Sequence, residues 1–129
     1  MTVGPLVALI TAGAVAARLV TALRAAGYRA RSVPRRTAAD PPALDAWLAA
    51  QRPAALVLDA RVVRLSAAPH VYDLAAARGV ELVVASIYAG DDEGDVRGAS
   101  ALRVGRRVSV ADVVRGVQRT IGSVADARV

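Results

Sequence analysis

Hydrophobicity along the chain changes period at regular intervals. "LVALI" (6–10) is a continuous apolar run with β-branched members, short enough for a strand buried on both faces. Val15, Leu19, Leu23 and Ala26 then recur at helical spacing, and Gly27 supplies a stop signal. "YRARSV" (28–33) alternates and predicts an edge-like strand. Asp40 before Pro41 predicts an N-cap with proline at the first helical position; Leu44, Trp47 and Leu48 supply that helix with an apolar face, and Pro53 closes it.

"ALVLD" (55–59) is the most apolar run and predicts a central strand, the third. Residues 60–68 read as a loop, Pro69 opens a helix to Arg78, and Gly79 ends it. "VELVVAS" (80–86) is the fourth strand. "YAGDDEGDVRG" (88–98) is turn-rich and acidic, with room for only a short helix, and "ALRV" (101–104) is a weak fifth strand. Ser109 caps a final helix whose apolar positions are Val110, Val113, Val114, Val117 and Ile121, and 122–129 read as a loose tail.

Five β-α units with short links predict a single domain over 1–121: a doubly wound α/β fold with a five-stranded parallel sheet and helices on both faces. An order of 2-1-3-4-5 puts the topological switch point between strands one and three, where Thr11 and Asp59 end their strands.

Composition narrows the chemistry. Without cysteine there is no disulfide, zinc thiolate or thiol nucleophile, and a single histidine, His70, argues against a histidine metal cluster or a Ser/His/Asp triad. The chain is 55% hydrophobic, yet no apolar run reaches the roughly 18–20 residues of a membrane span. The first segment lacks a basic leader and carries Arg18 within its periodic stretch, so a cytoplasmic protein is expected. All 17 basic residues are arginine, while lysine, asparagine and phenylalanine are absent. With abundant alanine, valine and glycine, that pattern resembles the codon bias of a GC-rich bacterial genome. It accounts for the net charge of +6 better than nucleic-acid binding does, since aromatics are scarce and no long basic helix is present.

Several motifs carry less than they promise. "GDDEGD" (90–95) lacks the register and the final glutamate of a calcium loop, so it reads as a solvated loop. "AGAVAARL" (12–19) has neither G-x-G-x-x-G nor a following lysine. His70, Tyr72 and Trp47 read as surface or packing residues.

In element order and length, residues 3–121 resemble the response-regulator receiver family. "ALVLDA" sets Asp59 where that family carries its phosphoacceptor, "LVVAS" sets Ser86 at its switch position, and "RGASALRV" is similar to the segment leading into its fifth strand. The resemblance implies a flavodoxin-like fold. It also exposes departures. The acidic pair that holds magnesium after strand one is replaced by Thr11 and Ala12, and the Lys-Pro after strand five by "VGRRV", with Arg106 beside the lysine position. Leu102 stands where an aromatic often precedes that lysine.

An aspartate attacking a phosphoryl donor needs its product charge neutralised by a metal and a cation. Mg²⁺ demands several oxygen ligands, and losing one electrostatic stabiliser typically costs roughly 10²–10³ in rate. The expectation is therefore a pseudo-receiver: no enzyme, no metal and no cofactor, with Thr11 and Arg106 in an altered pocket beside Asp59. In receivers the last helix and strand form a docking face, and here Arg103, Arg107, Arg115 and Arg119 would make it cationic, with Arg115 and Arg119 spaced i,i+4. That fits an acidic protein partner or a homodimer, with no membrane role and nucleic acid not expected as a partner of this domain alone. Two other readings stay open: phosphotransfer through Asp59, and ligand sensing as the receiver domain of a transcription regulator or pilus-localisation ATPase.

Overall fold

The computed structural model describes residues 4–11, 13–59, 70–87 and 107–122. In chain order these form β1 (Leu6–Ile10), α1 (Gly13–Ala25), β2 (Arg29–Ser32), α2 (Arg35–Ala39), α3 (Pro41–Gln51), β3 (Ala55–Asp59), α4 (His70–Ala77), β4 (Glu81–Ile87), β5 (Arg107–Val108) and α5 (Val110–Ile121).

Four of the strands make a parallel sheet ordered β2-β1-β3-β4, and the two-residue β5 pairs in parallel with the end of β4. The expected order is thus observed, but the fifth strand differs. Residues 101–104 lie outside the described part, and the pairing seen is Ser86 with Arg107 and Ile87 with Val108. The short helix expected within 88–98 and the tail 123–129 also lie outside it.

β1 and β3 are buried at every position because helices cover both faces of the sheet. Alternation sends Val7, Leu9, Val57 and Val83 to one face, where Leu19, Leu23, Val113 and Val117 of α1 and α5 meet them. Ala8, Ile10, Leu56 and Leu58 face the other way, onto Leu44, Leu48 and Val71 of α3 and α4. Each fully buried leucine contributes about 1.5–3 kcal/mol relative to exposure. The helical stops fall where the sequence places them: Gly27 and Gly79 take φ of 97° and 68°, a region open to glycine without strain.

The helix α2 was not foreseen. "PRRTAAD" shows no apolar period, and only Ala38 of that turn is buried. Asp40 occupies the N-cap position of α3 but makes no side-chain cap. Pro41 and Pro42 remove the first two N–H donors of that helix, leaving the carboxylate little to accept. Its backbone N–H instead donates to the Thr37 carbonyl at 3.2 Å, closing α2.

Among the described residues, specific side-chain links tie elements together. The His70 Nε2–H donates to the Ala38 carbonyl at 2.9 Å, tying α4 to α2. The Arg78 guanidinium grips both carboxylate oxygens of Asp45 on α3, at 2.9 and 3.0 Å. The Tyr28 hydroxyl donates to the Gly122 carbonyl at 2.6 Å, fastening the end of α5 to the turn after α1.

Candidate functional site

The carboxyl ends of β1, β3 and β4 meet at one rim of the sheet. The register pairing Ile10 with Leu58 carries the next residues, Thr11 and Asp59, alongside each other. Asp59 pairs with Ala85 on its other side, one residue before Ser86, and Ser86 lies opposite Arg107. Backbone pairing thus gathers Thr11, Asp59, Ser86 and Arg107 at one end of the sheet.

Asp59 is fully buried and engaged by a polar partner. Strand alternation places it on the Val57 face, the side covered by α1 and α5. The Thr11 hydroxyl is also buried, and it has no hydrogen-bond partner. Ser86 and Arg107 are placed by backbone register alone. Arg103 and Arg106 lie outside the described residues.

The last helix presents the other residues singled out in the sequence. Ser109 and Asp112 form a capping box: the Asp112 N–H donates to Ser109 Oγ at 3.1 Å, and the Ser109 N–H donates to Asp112 Oδ2 at 3.3 Å. Arg115 is exposed and pairs with Asp112, while Arg119 is exposed one turn further on. Val113 and Val117 are fully buried, so the two arginines sit away from the core stripe. The partnership of Arg115 was not anticipated, and it leaves Arg119 as the arginine of the two without a carboxylate at i−3.

A cavity of about 270 Å³ opens over the carboxyl ends of β1 and β2, bounded by Thr11, Gly13, Ser32 and Arg35 among others. Sequence reading missed Ser32 and Arg35 because α2, which sets Arg35 at the rim, has no apolar period. Pro34, which fixes φ ahead of a helical turn, was the available signal.

Among the described residues, no group of three or more His, Cys, Asp or Glu is arranged to hold a metal ion, and no helix is long and apolar enough to cross a membrane. Comparison with known proteins finds no matching family model, curated protein or solved structure.

Proposed function

We propose that the chain is a flavodoxin-like pseudo-receiver, a cytoplasmic signalling module that works by protein contact without phosphorylation. One observation carries this reading: a fully buried Asp59 ends β3, and its neighbour across the β1 register is Thr11, a residue with no charge. The sheet order and the position of that aspartate are the features shared with receivers. Covalent phosphorylation of Asp59 would require an in-line approach to a carboxylate that solvent does not reach. It would also replace the single carboxylate charge with a phosphoryl group of about two negative charges, beside a hydroxyl where a magnesium site needs carboxylates.

Contact then falls to the exposed face of α5. Arg119, with Arg115 beside it, favours an acidic partner or the acidic surface of a second copy. Exposed charges of this kind mainly raise encounter rates and select partners, so association should weaken with salt.

Treatment with acetyl phosphate and Mg²⁺, followed by intact-mass measurement, tests the reading. The expected result is no mass shift on treatment, as for Asp59→Ala. A stoichiometric phosphate adduct present in the wild type and absent from Asp59→Ala would overturn it in favour of a phosphoacceptor.

A further inference from the structure

The cavity over β1 and β2 has a composition that the contact reading does not use. Its walls are apolar, from Ile10, Val33 and Ala38, and its rim carries Arg35, Ser32 and Thr11.

Two features at that rim suit an anion. The Thr11 hydroxyl is a buried polar group with no hydrogen bond, a condition native proteins rarely leave unexplained. Arg35 is exposed and forms no ion pair among the described residues.

We propose that this cavity binds a small organic anion, a carboxylate or phosphate on a short apolar body. The head group would take Arg35 and the Thr11 hydroxyl, brought round by a turn about χ1. The body would lie against Ile10, Val33 and Ala38. The volume sits just below the roughly 300–1,000 Å³ of pockets for drug-sized ligands, which selects a molecule of a few carbons. Asp59 takes no part in this cavity, so the outcome is independent of the phosphorylation test.

The test is an amide NMR titration of the labelled protein with inorganic phosphate, with butyrate, and with butanol as the uncharged control. Phosphate or butyrate should give saturable shifts at Thr11, Gly13, Ser32 and Arg35 in the millimolar range, and butanol should not. Response to phosphate alone assigns a phosphate head, and response to butyrate alone a carboxylate; either supports the site. Arg35→Gln should weaken binding about tenfold or more, the worth of one charge-assisted hydrogen bond, while Arg24→Gln on the last turn of α1 should not. Thr11→Val, which removes an unpartnered hydroxyl, should raise the melting temperature yet weaken binding. The site is refuted if neither anion saturates, if Arg35→Gln binds like the wild type, if Arg24→Gln loses as much as Arg35→Gln, or if Thr11→Val leaves binding unchanged.

Discussion

Replacing Asp112 with alanine opens the N-terminus of α5. Asp112 is only 3% exposed, and its carboxylate accepts the Ser109 N–H at 3.3 Å and also pairs with Arg115. Loss of a cap costs about 0.5–2 kcal/mol, and loss of a negative charge in the first helical turn about 0.3–1 kcal/mol. The two overlap, so about 1–2 kcal/mol is expected for Asp112→Ala. Arg115 contributes little by itself, because its side chain is 56% exposed and exposed pairs are worth roughly 0–1 kcal/mol. Arg115→Ala should therefore cost less than about 0.5 kcal/mol. In a domain of this length the larger change lowers the melting temperature by roughly 4–8 °C. Urea unfolding followed by the fluorescence of Trp47, the only tryptophan, measures both variants. Ser109→Ala combined with Asp112→Ala should be clearly non-additive, with a coupling of about 0.5 kcal/mol or more. If Arg115→Ala destabilises as much as Asp112→Ala, the ion pair rather than the cap holds this helix, and the reasoning fails. The pairing also bears on partner assays: Arg115→Glu would set a second carboxylate beside a buried one, so Arg119→Glu is the cleaner probe of the exposed face.

Gly4→Ala should destabilise by about 2 kcal/mol or more in urea titration, because a Cβ there would stand 2.1 Å from the Gly27 carbonyl oxygen. Leu19→Ala, at a fully buried position between α1 and the sheet, should cost about 2–5 kcal/mol in the same assay. The Asp45 carboxyl is held below its ordinary pKa of 3.8 by the hydrogen bond from Arg78, with the guanidinium charge adding to it. A carboxyl lowered in the folded state adds stability that is present above its unfolded pKa and lost as pH falls through the folded value. Carboxyl NMR titration should place the Asp45 midpoint low in the wild type and return it to the ordinary value in Arg78→Gln. Arg119→Glu, at the last turn of α5, should cost no more than about 1 kcal/mol of stability, yet reduce self-association in light scattering or capture of an acidic partner at low salt.

The strands and long helices were legible because burial imposes a period. β1 and β3 are unbroken apolar runs since both of their faces are covered, and α5 shows its valine stripe because only one of its faces is. Where burial is slight the signal vanishes: α2 hides a single alanine and left no trace. Asp40 shows a different limit. A favourable cap residue was correctly placed but disarmed by two prolines that deprive it of donors. At the site, the sequence located Thr11 and Asp59 at strand ends, and parallel pairing brings them side by side. Arg35 could not be found in this way, because its position at the cavity depends on a turn with no apolar pattern. Nor could spacing reveal that Arg115 is shared with the carboxylate of the capping box.

The place of β1 in the sheet has a consequence for how the protein is made. Its neighbours are β2 and β3, and β3 begins at Ala55, after α1, β2, α2 and α3 have all been synthesised. From Ile10 to Ala55 the ribosome adds 45 residues, which takes roughly 2–9 seconds at about 5–20 residues per second. Through that interval β1, whose five residues all end up buried, has one edge without its partner strand. A nascent chain in this state offers an apolar strand to chaperones and to other nascent chains alike. Central placement makes β1 well protected in the finished protein and vulnerable in the unfinished one.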